Sequence, residues 1–101
     1  MLELRPSCEH CDKPLPPAST EAMICSYECT FCRDCATRLH DVCPNCGGGF
    51  VPRPIRPAQE WRPGVFLGSQ PASDKRVFKP VDLAAHEAFA AGLRGMPPER
   101  R

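Results

Sequence analysis

The sequence predicts a small metal-stabilised domain with little regular secondary structure, followed by one C-terminal helix. The chain has 101 residues, of which 13 are prolines and 7 are glycines, so long regular elements are not expected. Residues 1–51 contain only 12 large apolar side chains, although ordering each residue costs about 1.5 kcal/mol before any gain. All eight cysteines fall inside one 39-residue window, and metal–thiolate bonds are therefore expected to replace the missing apolar core.

The cysteines sort into four closely spaced pairs. The pairs are Cys8/Cys11, Cys25/Cys29, Cys32/Cys35 and Cys43/Cys46. A Cys-x-x-Cys turn presents two thiolates to one ion, and a tetrahedral structural zinc site needs two such turns. Four pairs thus make two complete four-sulfur sites with no thiol left over.

These pairs can combine into two sites in three ways. Joining the second pair with the third would require both turns to face one ion across only Thr30 and Phe31, which is sterically poor. A sequential arrangement joins the first pair with the second and the third with the fourth. A crossed arrangement joins the first with the third and the second with the fourth. The spacing by itself leaves these two arrangements open.

The complete spacing, C-x2-C-x13-C-x3-C-x2-C-x2-C-x7-C-x2-C, resembles that of a RING finger. This resemblance implies a RING-like, treble-clef cross-brace fold with two zinc knuckle pairs and crossed sites. One zinc ion would then be held by Cys8, Cys11, Cys32 and Cys35, and the other by Cys25, Cys29, Cys43 and Cys46. Cys29 stands where that class most often has histidine. The LIM class pairs sequentially, but it usually has a longer final loop than the seven residues found here.

The preference for metal over disulfides depends on the cellular compartment. The amino-terminal MLELRPSCEH lacks an apolar run of signal-peptide length, and no segment approaches the ~20 apolar residues of a membrane span. We therefore expect a cytoplasmic protein, in which clustered Cys-x-x-Cys pairs are more often metal ligands than disulfides. An iron–sulfur cluster is a lesser alternative, because seven residues rather than three separate Cys35 from Cys43. A thioredoxin-like dithiol lacks its strand–helix context.

The histidines, glycines and apolar residues near the cysteines are predicted to have structural roles. His10 and His40 are not expected to bind metal, because eight cysteines already fill both sites. The segment Gly47-Gly48-Gly49 is interpreted as the turn that completes the last knuckle. A small core is expected between the two sites. Its predicted members are Ile24, Phe31, Leu39 and Val42.

Charge and proline content divide the chain into three segments. Residues 1–51, the head, have four basic and seven acidic side chains, whereas residues 52–101 have nine and five. The head is predicted to be a binuclear zinc-binding domain. Residues 52–80 are predicted to be a Pro-rich basic extension that packs on the head or is only linked to it. Residues 81–101, the C-terminal segment, are predicted to be a helix and a disordered end.

The one substantial helix is predicted within VDLAAHEAFAAGLR, residues 81–94. This segment is rich in alanine, and Asp82 is suited to cap the start of the helix. The apolar stripe of the helix is weak and is interrupted by His86. The sequence therefore does not decide whether this helix packs on the head or frays in solution.

Longer motifs resemble those of the small bacterial family catalogued as domain of unknown function 1272. The motifs are MLELRP, CDKPLPP, ECTFCRDC and CPNCGG, with PASDKRVFKP further on. The resemblance covers about residues 1–80, and the segment from residue 81 is interpreted as an extension beyond the family's short ending. The resemblance implies a bacterial cytosolic zinc protein, and it supplies no catalytic residue.

RING-like cysteine spacing makes ubiquitin ligation a candidate function. The residues at the positions that RING ligases share do not support it. RING ligases resemble one another in an apolar residue after the first cysteine, an aromatic residue before the last pair and a basic residue after the last cysteine. Glu9, the loop ATRLHDV and Gly47 occupy those positions here, and only Pro44 fits. A four-thiolate site also has no open position for water. The chain is thus predicted not to be an enzyme and to have no small-molecule substrate.

The sequence favours a protein-interaction or regulatory module with an unidentified protein partner and no membrane contact. One alternative is a nucleic-acid-binding regulator that uses the basic side chains after residue 51. These are Arg53, Arg56, Arg62, Lys75, Arg76 and Lys79. We expect them instead to fold back on the head, whose charge with two four-thiolate zinc sites is about −7, with Trp61 or Phe66 as an apolar anchor. A second alternative is a thiolate-based metal or redox sensor.

Overall fold

Regular secondary structure is confined to a few short elements in the computed structural model, which describes residues 1–101. The elements are β1 (Ala22–Ile24), β2 (Thr30–Cys32), α1 (Arg33–Arg38), β3 (Val51–Pro52), α2 (Leu83–Ala90) and a 3-10 helix (Pro98–Arg100). The expectation of little regular structure is confirmed. The six-residue helix α1 was not predicted from the sequence. None of the helices is long and apolar enough to cross a membrane.

The three strands form one antiparallel sheet in the order β2-β1-β3. Met23 lies opposite Phe31 in the β1–β2 pair, and Ile24 lies opposite Val51 in the β1–β3 pair. The turn from β1 to β2 contains Cys25 and Cys29, while Cys32 ends β2 immediately before α1. The sheet and its turn therefore fix the positions of these three cysteines in the middle of the head.

The core of the head is built from a few apolar side chains and the thiols themselves. The predicted core residues Ile24, Phe31, Leu39 and Val42 are all buried. Phe31 packs against Phe50 with ring centroids 5.2 Å apart. Six of the 12 residues in the main buried cluster are cysteines, so the thiols replace apolar side chains as core material.

The knuckles at Cys8/Cys11 and Cys43/Cys46 share one backbone geometry. The N–H of Asp12 donates to the carbonyl of Cys8 (3.0 Å), and the N–H of Gly47 donates to that of Cys43 (2.8 Å). Asp12 and Gly47 both have a positive φ, 65° and 79° respectively. Glycine adopts this left-handed conformation without strain, which explains its place directly after Cys46.

The extension runs along the head and is held there by arginine side chains. Arg53 is 4% exposed, and it donates hydrogen bonds to the carbonyls of Arg5 (2.8 Å), Leu15 (3.2 Å) and Pro16 (3.0 Å). Arg76 binds both carboxylate oxygens of Asp12. Of the two predicted apolar anchors, Trp61 is 74% exposed and does not hold the extension, whereas Phe66 is half-buried. Guanidinium groups serve as anchors because the carbonyls of this loop-rich head need donors that apolar rings cannot supply.

Helix α2 begins as predicted and ends earlier than predicted. Asp82 caps it, since its Oδ1 accepts hydrogen bonds from the N–H groups of Ala84 and Ala85, both at 3.1 Å. The helix ends at Ala90, and the chain then folds into turns through Gly92, a poor helix former. Where the sequence predicts disorder, the chain forms the 3-10 helix, because Arg101 donates to carbonyls of the head.

Candidate metal centres

The first sulfur group, called site 1, joins the first and third cysteine pairs. The sulfur atoms of Cys8, Cys11, Cys32 and Cys35 all lie within 4.8 Å of one another. The distance from Cys11 Sγ to Cys32 Sγ is 3.8 Å. Tetrahedral zinc with Zn–S bonds of about 2.3 Å separates its sulfur ligands by about 3.8 Å. Site 1 therefore already has the spacing of a four-thiolate metal site.

The second sulfur group, called site 2, involves the second and fourth pairs. The sulfur atoms of Cys25, Cys43 and Cys46 lie within 4.8 Å of one another, and that of Cys29 lies outside this set. Cys29 is nevertheless buried beside Cys25, and its Sγ accepts a hydrogen bond of 3.4 Å from Asn45 Nδ2. Site 2 thus has three converged thiols and a fourth at its edge.

The grouping of sulfurs follows the crossed arrangement in both sites. Neither group joins the first pair with the second, as a sequential arrangement would require. Within residues 25–35, the Cys25/Cys29 turn thus faces site 2 and the Cys32/Cys35 turn faces site 1. The predicted fold class, a metal-stabilised domain with two cysteine clusters close together, is confirmed. All eight cysteines are free thiols, so no disulfide competes with metal binding.

Burial raises the pKa of four of the eight thiols. It raises the pKa of Cys35 and Cys43 far above the ordinary value, and it also raises the pKa of Cys29 and Cys32. At Cys11 burial also acts to raise the pKa, but the backbone N–H of Lys13 and neighbouring thiols outweigh it, and the pKa is lowered. Buried thiols with raised pKa values hold their protons until a cation displaces them, so metal binding releases protons.

Two polar side chains connect the metal sites. Glu9 is 2% exposed, and its Oε2 accepts hydrogen bonds from the N–H of Thr30 (2.7 Å) and from Arg5 Nη1 (3.0 Å). Asn45 Nδ2 lies 3.4 Å from Glu9 Oε1 and 3.4 Å from Cys29 Sγ. Because Glu9 follows Cys8 and Asn45 lies between Cys43 and Cys46, these contacts join a knuckle of site 1 to a knuckle of site 2.

The three histidines hold the C-terminal segment against the head. His10 Nδ1 accepts a hydrogen bond from the N–H of Val81 (2.9 Å), and His40 Nε2 pairs with Glu87 Oε2 (2.7 Å). His86 is buried, and its Nε2 donates to the carbonyl of Val42 (2.8 Å). No histidine belongs to either sulfur group.

Sequence reasoning missed Glu9, Asn45 and His86 as organising residues. A single polar residue between cysteines carries no periodicity or spacing that would reveal its partner. It also missed an open apolar groove of about 490 Å³ beside Cys25. The groove is lined mainly by Leu2, Ile24, Phe50, Val51 and Pro98. These residues are far apart in sequence, so only the fold brings them together.

The fold and the two sulfur groups together define a small cysteine-rich domain built around two candidate metal sites. Comparison with known proteins places it more closely: the chain belongs to the family described as "Protein of unknown function (DUF1272)", whose model matches residues 1–56. An uncharacterized protein of Rhizobium meliloti (strain 1021) is 54% identical over 89 residues, covering 87% of this chain and 99% of that protein. No solved structure matches the chain.

The length of the match to the rhizobial protein shows whether that protein shares the C-terminal segment. An alignment that covers 87% of the chain cannot be contained within residues 1–80. It must include part of residues 81–101, which were interpreted as an extension beyond the family's ending. At least one relative therefore shares some of this segment.

Proposed function

We propose that the chain binds two structural zinc ions and acts in the bacterial cytoplasm as a protein-interaction or regulatory module, not as an enzyme. The crossed convergence of the thiols is the observation that carries this proposal. Two such ions would supply folding free energy that a head with so few apolar side chains lacks, since a structural zinc contributes about 10–16 kcal/mol in small peptides.

Zinc is the metal that this donor set supports best. Four thiolates in a tetrahedral arrangement suit zinc or an iron–sulfur cluster, and hard cations prefer oxygen ligands. Each sulfur group takes its ligands from two separate turns, as structural zinc sites do. The free state of all eight thiols fits a reducing compartment.

The coordination also supports a non-enzymatic role. A zinc ion that is held by four thiolates has no open position for a water nucleophile or a substrate. The buried carboxylate of Glu9 is occupied by Arg5 and the N–H of Thr30, so it is engaged in holding the two knuckles together.

An interaction role is supported by the surface next to site 2. The groove beside Cys25 is open and mainly apolar, and Val51 at its edge is 59% exposed. A concave apolar surface on a rigid scaffold suits the side chains of a protein partner.

Nucleic-acid binding through the extension is a less supported candidate. Four of its six basic side chains already have partners within the chain. Arg53 and Arg56 donate to backbone carbonyls. Arg76 binds Asp12, and Lys79 contacts Asn45. Only Arg62 and Lys75 are left without a hydrogen bond from the side chain. Phosphate binding would compete with these internal contacts, so little affinity is expected.

A thiolate-based sensor is a second candidate that one observation favours. Cys11 and Cys46 are exposed, so each sulfur group presents one thiol to solvent. An exposed thiolate is the point at which an oxidant or a competing metal ligand can act.

The proposed function can be tested by comparing the zinc-loaded chain with a variant that lacks site 2. Cys43→Ser/Cys46→Ser removes the knuckle, while Ser69→Ala, at an exposed position outside the groove, is the control. Proteins from a bacterial lysate that bind the loaded chain and the control, but not the site 2 variant, would support a metal-dependent interaction module. Salt-dependent binding of random-sequence DNA or RNA by fluorescence anisotropy, without protein capture, would contradict it and favour the nucleic-acid alternative.

A further inference from the structure

We propose that site 2 is the exchangeable metal site of this protein and that the C-terminal segment is a clamp that controls metal release from it. This inference rests on the proposed function, because it assumes that both sulfur groups bind zinc. It adds that the two sites have different roles. Site 1 would hold the head together, and site 2 would exchange its ion with a chelating or thiol-rich acceptor.

The two sites differ in how completely their ligands converge. Site 1 has four sulfur atoms within 4.8 Å of one another, whereas site 2 has three. The fourth thiol of site 2, Cys29, has its sulfur turned toward Asn45 Nδ2. A site whose fourth ligand must still move into place holds its ion less tightly than a site whose four ligands already converge, so site 2 opens more easily than site 1.

The two sites also differ in the elements that carry their ligands. Site 1 takes Cys32 from the end of β2 and Cys35 from α1. The Cys8/Cys11 knuckle of site 1 lies outside helices and strands, as do all four ligands of site 2. Of these, Cys43 and Cys46 lie in the loop between α1 and β3. This loop includes His40 and Asp41, both of which have a positive φ that costs energy for residues other than glycine. The loop therefore needs support from outside.

The C-terminal segment supplies that support through direct contacts on both sides of the knuckle. His86 Nε2 donates to the carbonyl of Val42, directly before Cys43, at 2.8 Å. Arg101 Nη1 donates to the carbonyls of Asp41 (2.9 Å) and Gly47 (3.3 Å), so its contacts bracket both cysteines.

Apolar contacts of the same segment close over the glycines that follow Cys46. A Cβ atom at Gly47 would lie 3.3 Å from Leu93 Cδ1 and 3.4 Å from Phe89 Cζ. One at Gly49 would lie 3.0 Å from Pro98 Cγ. The glycines thus allow the C-terminal segment to lie directly on the backbone of the knuckle.

The clamp is held weakly enough to open. Within α2 only His86 and Ala90 are buried, while Leu83 is 45% exposed and Phe89 is 47% exposed. The ion pair of Glu87 with His40 and Arg94 is exposed, and such pairs contribute little. An element with so little buried apolar surface opens locally before the rest of the protein unfolds. On release, Zn²⁺ would pass to the acceptor ligand, and the vacated thiolates would take up protons from water.

The order of release can be measured on the zinc-loaded full chain. The protein is mixed with a limiting amount of a zinc chelator, native mass spectrometry counts the ions per chain, and N-ethylmaleimide labels the thiols that become free. We expect a species with one ion, in which Cys25, Cys29, Cys43 and Cys46 are labelled and Cys8, Cys11, Cys32 and Cys35 are protected. Labelling of the site 1 cysteines first, or of all eight together, would overturn the proposal.

The clamp is tested by His86→Ala/Arg101→Ala against the control Ala88→Ser/Arg100→Ala. The control changes neighbouring exposed residues of the same segment whose side chains make no hydrogen bond. We expect the first ion to leave the test variant about tenfold faster, the ratio that the loss of a buried hydrogen bond produces, and the second ion to leave at the wild-type rate. Equal release of the first ion from both variants would overturn the clamp. If the test variant fails to fold, the release order of the wild type still decides which site exchanges.

Failure of this inference differs from failure of the proposed function. A chain that binds two zinc ions and loses them in the reverse order refutes only the inference. A chain that binds fewer than two zinc ions, or binds iron with sulfide, refutes both.

Discussion

At the scale of single residues, Asn45 is a side chain that links Cys29 of site 2 to the extension. Its Nδ2 lies 3.4 Å from Cys29 Sγ, and its Oδ1 accepts a hydrogen bond of 3.3 Å from Lys79 Nζ in the extension. Hydrogen bonds to metal ligands fix their orientation and balance their charge. Asn45 therefore acts on the metal through Cys29, not as a ligand.

Replacing Asn45 with alanine should weaken zinc binding at site 2 by about 10–100-fold and leave site 1 unchanged, since second-shell partners have effects of this size. Competition with chelators of graded affinity, read by native mass spectrometry, measures the two affinities separately. Ser26→Ala, in the Cys25 turn, is the matched control and should behave like the wild type. Equal weakening of both sites, or of neither, would contradict the role given to Asn45.

The role of a residue can be predicted from the sequence when it follows from the residue's own chemistry or apolarity, without knowledge of its partners in the fold. The cysteine pairs and the four core residues belong to this class, and the structure brings the cysteines together and buries the core. Trp61 was one of the two predicted apolar anchors of the extension, the other being Phe66, but Trp61 is 74% exposed. Arg53 was expected to fold back on the acidic head with the other basic side chains, and it is buried there at 4% exposure, but its partners are three backbone carbonyls and not carboxylates. Burial of a charged side chain depends on acceptors that lie far away in the sequence, so no local pattern reveals it.

At the scale of elements, helix α2 depends on its cap because its packing face is small. Asp82 is the residue that satisfies the first N–H groups of the helix. The sequence predicted this start correctly. The predicted end was too late, because alanine-rich composition favours helix through residue 91, whereas contacts with Gly47 fold Leu93 back toward the head.

The variant Asp82→Ala should destabilise α2 by about 1 kcal/mol, because it leaves capping N–H groups unsatisfied. Asp82→Asn is the matched control, since asparagine caps about as well as aspartate. Amide hydrogen exchange of residues 86–90 measures the change. We expect about fivefold faster exchange in the alanine variant, which corresponds to a loss of about 1 kcal/mol. Equal exchange in both variants would mean that packing on the head, not the cap, determines the helix.

At the scale of the whole molecule, the head and the extension form complementary parts of one structure. The extension supplies donors such as Arg53 and Arg56 to carbonyls of the first 16 residues. The backbone also connects them, since the N–H of Lys79 donates to the carbonyl of Glu9 at 2.8 Å. The division into residues 1–51, 52–80 and 81–101 stays a prediction, and these contacts suggest that the first two segments fold together.

A chain that ends at Gly49 should melt at a lower temperature than the full chain, since it lacks the buried hydrogen bonds of Arg53. Their loss costs about 1–3 kcal/mol, which corresponds to a decrease of at least about 5 °C for a domain of this size. A chain that ends at Pro80 retains the extension and separates its contribution from that of the C-terminal segment. Equal melting temperatures of the zinc-loaded short and full chains would show that the extension adds nothing to stability.

The folded head and its proposed function both depend on two metal ions in crossed four-thiolate sites. The most direct test is the metal content of protein purified without added metal, measured together with its absorption spectrum and the metal content of Cys11→Ser and Cys46→Ser variants. We predict a colourless protein with two zinc ions per chain, and one ion retained in each variant. A brown protein containing iron and sulfide, or one zinc ion per wild-type chain, would contradict the account.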